Sequence, residues 1–205
     1  METGSGSLTQ REVAAELAAT VALSAIHNGD RVGVLLFADK VLKFVPPKKT
    51  RGHGLRVIRE VLAAESPGRS STDMKGALAH LGLLLKRRSV IFLVSDFLDI
   101  TGIDREVRAL VQRHDLIPLH IRDPLDLDPP NIGTVFSRNP EAEGVLDLPL
   151  AFGSFRKAYR DAVHAQIAEV ETLFRRARTD VIPIRLGESP IGPMLGYFRL
   201  RARRH

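Results

Sequence analysis

The sequence predicts one α/β domain, residues 1–205, with a doubly wound, mostly parallel sheet flanked by helices. Strand-like apolar runs alternate with helical periodicities of about 11–20 residues along most of the chain. The segment Ser89–Val94 is almost purely apolar, which is typical of a strand covered on both faces. A length of 205 residues, with 44% hydrophobic and 26% charged residues, is that of a single globular domain.

The first half of the chain alternates helices with strands. Thr9 and Glu12 form a capping box before the first helix, and Pro46-Pro47 is expected to end the second strand. The predicted elements are a helix from Thr9 to Asn28, a hairpin of strands Arg31–Phe37 and Val41–Val45, helices Gly54–Ala64 and Thr72–Lys86, and the strand Ser89–Val94. Residues 1–8 are rich in glycine and serine and are expected to form a loop.

The second half continues the alternation around an irregular segment. Residues 125–150 begin acidic and proline-rich, and we expect an irregular insertion there. The predicted elements are helix Ile103–Arg113, strand Asp115–Ile121, short strands Thr134–Ser137 and Gly144–Leu148 within the insertion, helix Phe155–Ala177, strand Val181–Ile184 and helix Pro190–Arg201. Residues 199–205 form a basic C-terminal end.

Composition excludes several classes of protein. The chain has no cysteine, which rules out disulfides and Cys-ligated zinc or iron–sulfur sites. Its apolar runs fall short of the ~18–20 residues that a membrane span needs, and its start shows no secretory signal, so we expect a cytoplasmic protein. Aromatic residues make up only 5% of the chain, too few for an extended base-stacking surface.

The net charge of +6 is concentrated near the C-terminus, in Arg199, Arg201, Arg203 and Arg204. A basic end can serve an acidic partner such as nucleic acid, an anionic membrane or an acidic protein surface. It can equally be a solvated helix end whose cations suit the helix dipole. Together with the segment Lys48–Arg51, these arginines support electrostatic nucleic-acid binding as an alternative function.

No familiar catalytic motif is present. The sequence has no HExxH, GxSxG, Walker A or GxGxxG pattern, and its seven histidines are scattered, so we expect them at the surface or in turns. The chain is therefore not expected to be an enzyme. A metal-dependent hydrolase that used Asp39, Asp96 and Asp123 would need these carboxylates to converge on two ions.

Ligands of open α/β sheets bind beyond the carboxyl ends of the strands, so polar side chains at these ends are candidates for a site. Asp96 follows the most apolar strand, and its carboxylate could hold Mg²⁺, mostly through water. Thr72 could add a hydroxyl oxygen to the same ion. The structural alternatives are a turn or a helix N-cap for Asp96, and the N-cap of the following helix for Thr72.

Several segments, taken in order, resemble a known bacterial family. They are REVAAELAATVALSAIHNGDRVGVLLFADKV, PPKKTRGHGLRVIREVL, RSSTDMKGALAHLGLLLKRRSVIFLVSDF, RHDLIPLHIRDP and the arginine-rich PMLGYFRLRARR. The family is domain of unknown function 58, a von Willebrand factor A-like group, and the resemblance covers nearly the whole chain. It implies a von Willebrand factor A-like, Rossmann-like fold.

The resemblance also implies a metal-ion-dependent adhesion site. Such a site holds Mg²⁺ through Asp-x-Ser-x-Ser after the first strand, a Thr on a middle loop and an Asp after the fourth strand. Thr72 and Asp96 match the last two. The Asp-x-Ser-x-Ser segment would lie upstream of Met1, and Ser5 and Ser7 do not replace it because no Asp precedes them. We therefore expect this chain to bind Mg²⁺ weakly or not at all.

In the resembled fold the first strand is central, between the strands that match Arg31–Phe37 and Ser89–Val94. Without it, three outcomes are open for these two strands. The first is that the chain is a fragment or has a misassigned start. The second is that another segment fills the gap between the two strands, and the third is that the two strands pair directly.

The function that the resemblance implies is non-enzymatic protein–protein interaction. Proteins of this type are cytoplasmic and are often linked with MoxR-type AAA+ ATPases in assembling or activating other proteins. The Mg²⁺ ion would bridge to an Asp or Glu of the partner, a contact that chelation abolishes.

Overall fold

Helices and strands alternate through the part of the chain that the computed structural model describes, which is residues 10–64, 72–131, 134–138, 145–149 and 151–202. The helices are α1 (Gln10–Asn28), α2 (Arg51–Leu62), α3 (Met74–Leu84), α4 (Asp104–Arg113), α5 (Pro124–Leu127), α6 (Gly153–Arg176) and α7 (Ile191–Ala202). The strands are β1 (Val32–Phe37), β2 (Val41–Lys48), β3 (Val90–Ser95), β4 (Asp115–Arg122), β5 (Thr134–Arg138), β6 (Val145–Pro149) and β7 (Ile182–Arg185). The mixed α/β class is as the sequence predicted, but in place of one doubly wound sheet the described strands form a parallel three-stranded sheet and two antiparallel hairpins.

Three strands form a parallel sheet in the order β3–β4–β7. Ser95 of β3 pairs with His120 of β4, and β4 pairs in turn with β7. The most enclosed strand is β4, whose residues Leu116–Ile121 are all buried. The sequence predicted this environment for β3, but β3 is an outer strand of the described sheet and Val90 at its start is exposed.

β1 and β2 form the predicted antiparallel hairpin, but the second strand is longer than expected. Pro46-Pro47 does not end β2, which continues to Lys48 and pairs there with Val32. The register shifts between Val32 and Val34, and such a bulge is one of the places where a strand tolerates residues without an N–H. The predicted end at the prolines was therefore wrong.

Helix α1 packs on both of these sheets. Its first half carries Val13 and Leu17 into a cluster with Phe92 of β3 and with buried residues of β4 and β7. Its second half carries Ala22 into a separate cluster with Val32 of β1 and with β2 and α2. One alanine-rich helix thus covers a face of the parallel sheet and a face of the hairpin.

Helix α3 lies on the other face of β3. Its Leu78 packs with Ile91 and Leu93, which alternate along β3 with the residues that face α1. Phe37, at the end of β1, packs against the same cluster as Leu78. β1 and β3 therefore contact the same two helices, although they belong to different sheets.

No strand pairing joins β1 to β3. Within the described residues β1 pairs with β2 alone, and β3 pairs with β4 alone. Direct pairing of these two strands, one of the three outcomes left open by the sequence, is therefore wrong. Each strand keeps one edge without a strand partner in this part of the chain, and shared helices hold the two sheets together.

The segment 125–150 contains the two predicted short strands and also a short helix that the sequence analysis did not predict. Helix α5 begins at Pro124, and the carboxylate of Asp123 caps it by accepting a hydrogen bond from the Leu125 N–H at 2.9 Å. The hydroxyl of Tyr159 in α6 donates to Asp126 of α5 at 2.6 Å. β5 and β6 pair as an antiparallel hairpin.

Some sequence predictions fall outside the described residues. They concern the loop 1–8, the cap at Thr9 and the last residues of the basic end, 203–205. Among the helices that the structure describes, none has both the length and the apolar character required to cross a bilayer.

Candidate functional site

Thr72 precedes α3 but does not cap it. The N-cap is Asp73, whose Oδ1 accepts a hydrogen bond from the Gly76 N–H at 2.8 Å. The N-cap role, which was the structural alternative to metal binding for Thr72, is therefore taken by Asp73. Thr72 is exposed, so its hydroxyl lies at the surface beside the start of α3.

The segment that contains Thr72 is fixed to the end of β1. The Asp73 N–H donates to the Ala38 carbonyl at 2.7 Å. The Ala38 N–H donates to the Lys40 carbonyl at 2.9 Å within the turn between β1 and β2, and Asp39 is exposed in that turn. These bonds place the start of α3 at the carboxyl end of β1.

The start of α3 also reaches the loop that follows β3. A Cβ atom added to Gly102 would lie 3.8 Å from the Lys75 ammonium nitrogen. Met74, the first residue of α3, packs in one cluster with Phe97. Thr72 thus lies beyond the end of β1, and Asp96 lies beyond the end of β3.

Asp96 is the first residue after β3 and is half-buried. The two hydrogen bonds described for its carboxylate both use Oδ1, which accepts from the Ser95 hydroxyl and the Leu98 N–H, each at 3.4 Å. Asp96 thus has the turn role that the sequence allowed, rather than an N-cap role. Neither of these bonds uses Oδ2, the oxygen that remains for a further ligand.

Phe97 has a left-handed backbone conformation, with φ of 51°, which bulky residues rarely adopt. Strain of this kind costs on the order of 1–3 kcal/mol and persists only where the surroundings fix it. The buried Phe97 ring stands edge-on to Phe174 and to His120, with centroids 5.2 and 5.4 Å away. Gln166 of α6 donates to the carbonyls of Phe97 at 2.7 Å and of Leu98 at 3.3 Å.

The prediction that the histidines lie at the surface or in turns is wrong for His53 in α2 and His120 in β4, whereas His114 lies in the turn between α4 and β4. His53, His114 and His120 are buried, with His120 only 4% exposed. Burial lowers the pKa of His120 to about 4, and the nearby positive charge of Arg122 acts in the same direction. Burial likewise lowers the pKa of His114. Both imidazoles are therefore neutral near pH 7.

His120 and Gln166 contact the loop that follows β3, yet the sequence analysis did not select them. A signal existed for His120, because it sits between Leu119 and Ile121 in a mostly apolar strand. A polar residue in such a position is buried on at least one side. Nothing in the periodicity of α6 distinguishes Gln166, since its partners are backbone carbonyls of a loop 68 and 69 residues earlier.

Thr72 and Asp96 offer a hydroxyl and a carboxylate oxygen, which are ligand types that suit a hydrated Mg²⁺ ion. Mg²⁺ keeps several waters and is commonly held by one or two carboxylates, so two protein oxygens at an exposed edge suffice for a weakly held ion. Among the described residues, no three His, Asp or Glu side chains converge as metal ligands. Asp39 and Asp123 thus do not join Asp96 in the centre that a two-ion hydrolase needs.

The segments that follow β3 and β4 carry negative charge and exposed apolar side chains. Hydrogen bonds from the Thr101 hydroxyl and N–H lower the pKa of the Asp99 carboxyl, which is therefore ionised near pH 7. Leu98 and Leu125 follow the ends of β3 and β4, and both are exposed. A protein that docks here would meet carboxylates beside leucine side chains.

The basic residues considered for nucleic-acid binding lie on separate elements. Lys48, Lys49 and Arg51 are exposed at the junction of β2 and α2. Arg199 is exposed on α7, and the other arginines of the basic end lie outside the described side chains. α2 and α7 pack in different clusters, so Arg199 and the segment Lys48–Arg51 lie on different parts of the fold.

A comparison with solved structures shows the fold. An aerotolerance-related membrane protein from Bacteroides fragilis superimposes with a TM-score of 0.51 at 13% identity, covering 90% of this chain and 85% of that one. At this identity the likeness concerns the fold alone.

Sequence comparisons give the family. An uncharacterized protein of Mycobacterium tuberculosis is 22% identical over 204 residues, which are 99% of this chain and 64% of the relative. An uncharacterized protein of Mycobacterium avium is 24% identical over 160 residues, 78% of this chain and 94% of the relative. The chain thus spans 64% of the length of the first of these relatives. The family described as "Protein of unknown function DUF58" matches residues 1–169, and the chain belongs to it.

Proposed function

We propose that this chain is a non-enzymatic protein–protein interaction domain that captures an Asp or Glu of its partner through Mg²⁺ at Thr72 and Asp96. In this proposal the fold is von Willebrand factor A-like, and β1 and β3 flank the position of its first strand. The family carries no assigned function, and the M. tuberculosis relative is longer than this chain. The proposal therefore concerns the activity of this domain within its protein.

One observation carries the proposal: Asp73, and not Thr72, caps α3. Thr72 consequently stands exposed at the edge where the Asp73–Ala38 hydrogen bond fixes its backbone. Asp96 stands beyond the end of β3 on a loop that five hydrogen bonds hold. A hydroxyl and a carboxylate on fixed segments are suitable ligands for a hard cation.

A bound Mg²⁺ would supply a positive charge with open coordination positions for a carboxylate of the partner. Asp96 would bind the ion through its carboxylate, and Thr72 through its hydroxyl. With only two protein oxygens, we expect an affinity on the order of millimolar in the absence of a partner. The partner's carboxylate adds a second negative charge, so partner and ion should strengthen each other's binding.

The ion can be tested without knowing the partner. Amide NMR spectra of the isotope-labelled chain are recorded while Mg²⁺ is raised to about 10 mM, and EDTA is then added. We expect reversible shifts confined to the amides around Thr72 and Asp96. Asp96→Asn should weaken this response at least tenfold, whereas Asp99→Asn, a matched change in an exposed carboxylate of the same loop, should leave it unchanged.

Two results would contradict a weak Mg²⁺ site formed by Thr72 and Asp96. Tight stoichiometric Mg²⁺ binding measured by calorimetry would mean that the ligand set is larger than Thr72 and Asp96. Absence of any shift at these residues, or equal loss in Asp96→Asn and Asp99→Asn, would remove the metal from the proposal.

We propose a MoxR-type AAA+ ATPase of the same bacterium as the partner, and the cytoplasm as the compartment. The test uses the two purified proteins in surface plasmon resonance, with constant Mg²⁺ because the ATPase has its own need for the ion. Wild type and Asp99→Asn should bind, and Asp96→Asn should bind at least tenfold more weakly. Equal binding by all three chains would show that Asp96 does not mediate the contact.

A further inference from the structure

The loop after β3 is held by side chains at several consecutive backbone groups. The Phe97 N–H donates to the Ser95 hydroxyl at 3.0 Å, and the Leu98 N–H donates to the Asp96 carboxylate at 3.4 Å. The carbonyls of Phe97 and Leu98 both accept from Gln166 on α6. The loop conformation is therefore fixed by hydrogen bonds within the loop and by hydrogen bonds from α6, which is distant in sequence.

His120 supports the same loop from β4. It pairs in register with Ser95, so its side chain lies beside the point where β3 ends. Its imidazole stands edge-on to the Phe97 ring and lies within reach of the Asp96 backbone. Its Nδ1 is buried without a hydrogen-bond partner. A leucine would fill this space without leaving a polar atom unsatisfied, so the imidazole is unfavourable here unless its contact with Asp96 has a use.

We infer that His120 and Gln166 are positioning residues that hold the loop of Asp96, and with it the direction of its carboxylate, in one conformation. Each contacts the loop backbone rather than the carboxylate, so they act through the loop. Together with the left-handed conformation of Phe97, they fix where the carboxylate leaves the backbone. The use of that carboxylate as an ion and partner ligand rests on the proposed function, whereas the control of its orientation rests on these contacts.

Four variants of the chain test the inference. His120→Leu keeps the bulk and removes the ring nitrogens, and His120→Gln restores a donor at similar reach. Gln166→Met removes the bonds to the two carbonyls at a half-buried position, where folding is less at risk. His114→Leu is the matched control, because His114 is another buried histidine with unpartnered ring nitrogens, located at the opposite end of β4.

Two readouts separate the inference from the proposed function. Hydrogen exchange of the Phe97 and Leu98 amides reports loop order, and the amide response to Mg²⁺ alone reports ligand binding. We expect exchange to accelerate about tenfold in His120→Leu and Gln166→Met, with a weakened Mg²⁺ response. His120→Gln and His114→Leu should retain both properties. Because His114→Leu changes a buried residue, it is compared with wild type at an equal fraction of folded protein.

The two readouts, amide exchange and the Mg²⁺ response, lead to different conclusions about the positioning role and the metal function. If the loop amides stay protected in both His120→Leu and Gln166→Met, or if His114→Leu loosens them equally, the positioning role is overturned. If the loop loosens as expected but wild type shows no Mg²⁺ response at Asp96, the positioning role stands and the proposed metal function fails. If His120→Leu does not fold, Gln166→Met and His120→Gln decide by the same readouts.

Discussion

Gly33 lies against the backbone of Val45: a Cβ atom added to Gly33 would be 2.5 Å from the Val45 carbonyl oxygen. A backbone carbonyl in a paired strand cannot move aside as a flexible side chain can. We expect Gly33→Ala to lower the free energy of unfolding by about 1–3 kcal/mol, because the hairpin bulge must shift to admit the methyl group. Urea denaturation measures the effect.

Gly52→Ala is the control for this prediction. No atom lies within 4 Å of a Cβ added to Gly52, which is in helix α2. Alanine is the better helix former by about 0.5–1 kcal/mol, so Gly52→Ala should be neutral or stabilising. Equal destabilisation by the two substitutions would mean that the close approach to Val45 is not the cause.

His120 should make stability depend on pH in the weakly acidic range. Its pKa in the folded chain is about 4, against an ordinary value of 6.5, so the unfolded chain takes up the proton first as the pH falls. The stability is thus fully present above about pH 6.5 and is lost progressively toward pH 4, by on the order of 3 kcal/mol. Arg122 enlarges this effect, whereas the Asp96 backbone and the charge of Glu171 reduce it.

Urea denaturation at several pH values between about 7 and 4.5 checks this expectation. His120→Leu should flatten the profile, leaving a smaller slope of the same sign from His114, whose pKa is also lowered. The carboxyls of Glu60 and Asp99 have lowered pKa values too, but they lose their contribution only below their ordinary values of 4.5 and 3.8. An unchanged profile in His120→Leu would contradict the assignment.

The hydrogen bond from Tyr159 to Asp126 should stabilise the docking of α5 on α6. Burial and the Asp126 carboxylate raise the pKa of the Tyr159 phenol, so it remains a donor throughout the neutral range. Tyr159→Phe should cost about 1–2 kcal/mol and speed limited proteolysis near residues 124–131. Asp128→Asn is the control, because its exposed ion pair with Arg160 at 3.9 Å should contribute less than ~0.5 kcal/mol. Faster cleavage in Asp128→Asn than in Tyr159→Phe would refute this ranking.

Hydrogen exchange should reveal the strand edges that lack partners. Leu119 and His120 are paired with β3 on one side and β7 on the other, so amides of this part of β4 should be among the slowest. In β3, amides directed away from β4, apart from that of Phe92, should exchange at least ~10-fold faster than their neighbours directed toward it. Uniform protection along β3 would show that another segment covers this edge in solution.

Local periodicity was sufficient for most of the fold. Apolar spacing located the helices and strands because each buries one stripe or face, as Val13 and Leu17 of α1 do. It did not predict which of the apolar strands lies between two others in the sheet. β3 and β4 are both apolar, and only the sheet order, which depends on contacts distant in sequence, makes β4 the enclosed strand.

The candidate site was also predictable only in part, because the sequence shows local positions but not contacts between distant segments. Thr72 and Asp96 were found through the resemblance and through their places before a helix and after a strand. The sequence analysis named Thr72 alone as the alternative cap, whereas Asp73, a residue type that caps helices equally well, takes this position. Gln166 could not be found at all, because its role depends on where α6 crosses a loop that precedes it by nearly seventy residues.

The division of contacts along α1 has a consequence for synthesis on the ribosome. The cluster formed by Ala22, Val32, Val45 and Val57 involves no residue beyond the first third of the chain. The other half of the same helix packs on β7, which ends at Arg185 and leaves the ribosome much later. The hairpin with α1 and α2 can therefore assemble before β7 is synthesised, whereas the packing around Val13 and Leu17 is completed only after β7 has left the ribosome.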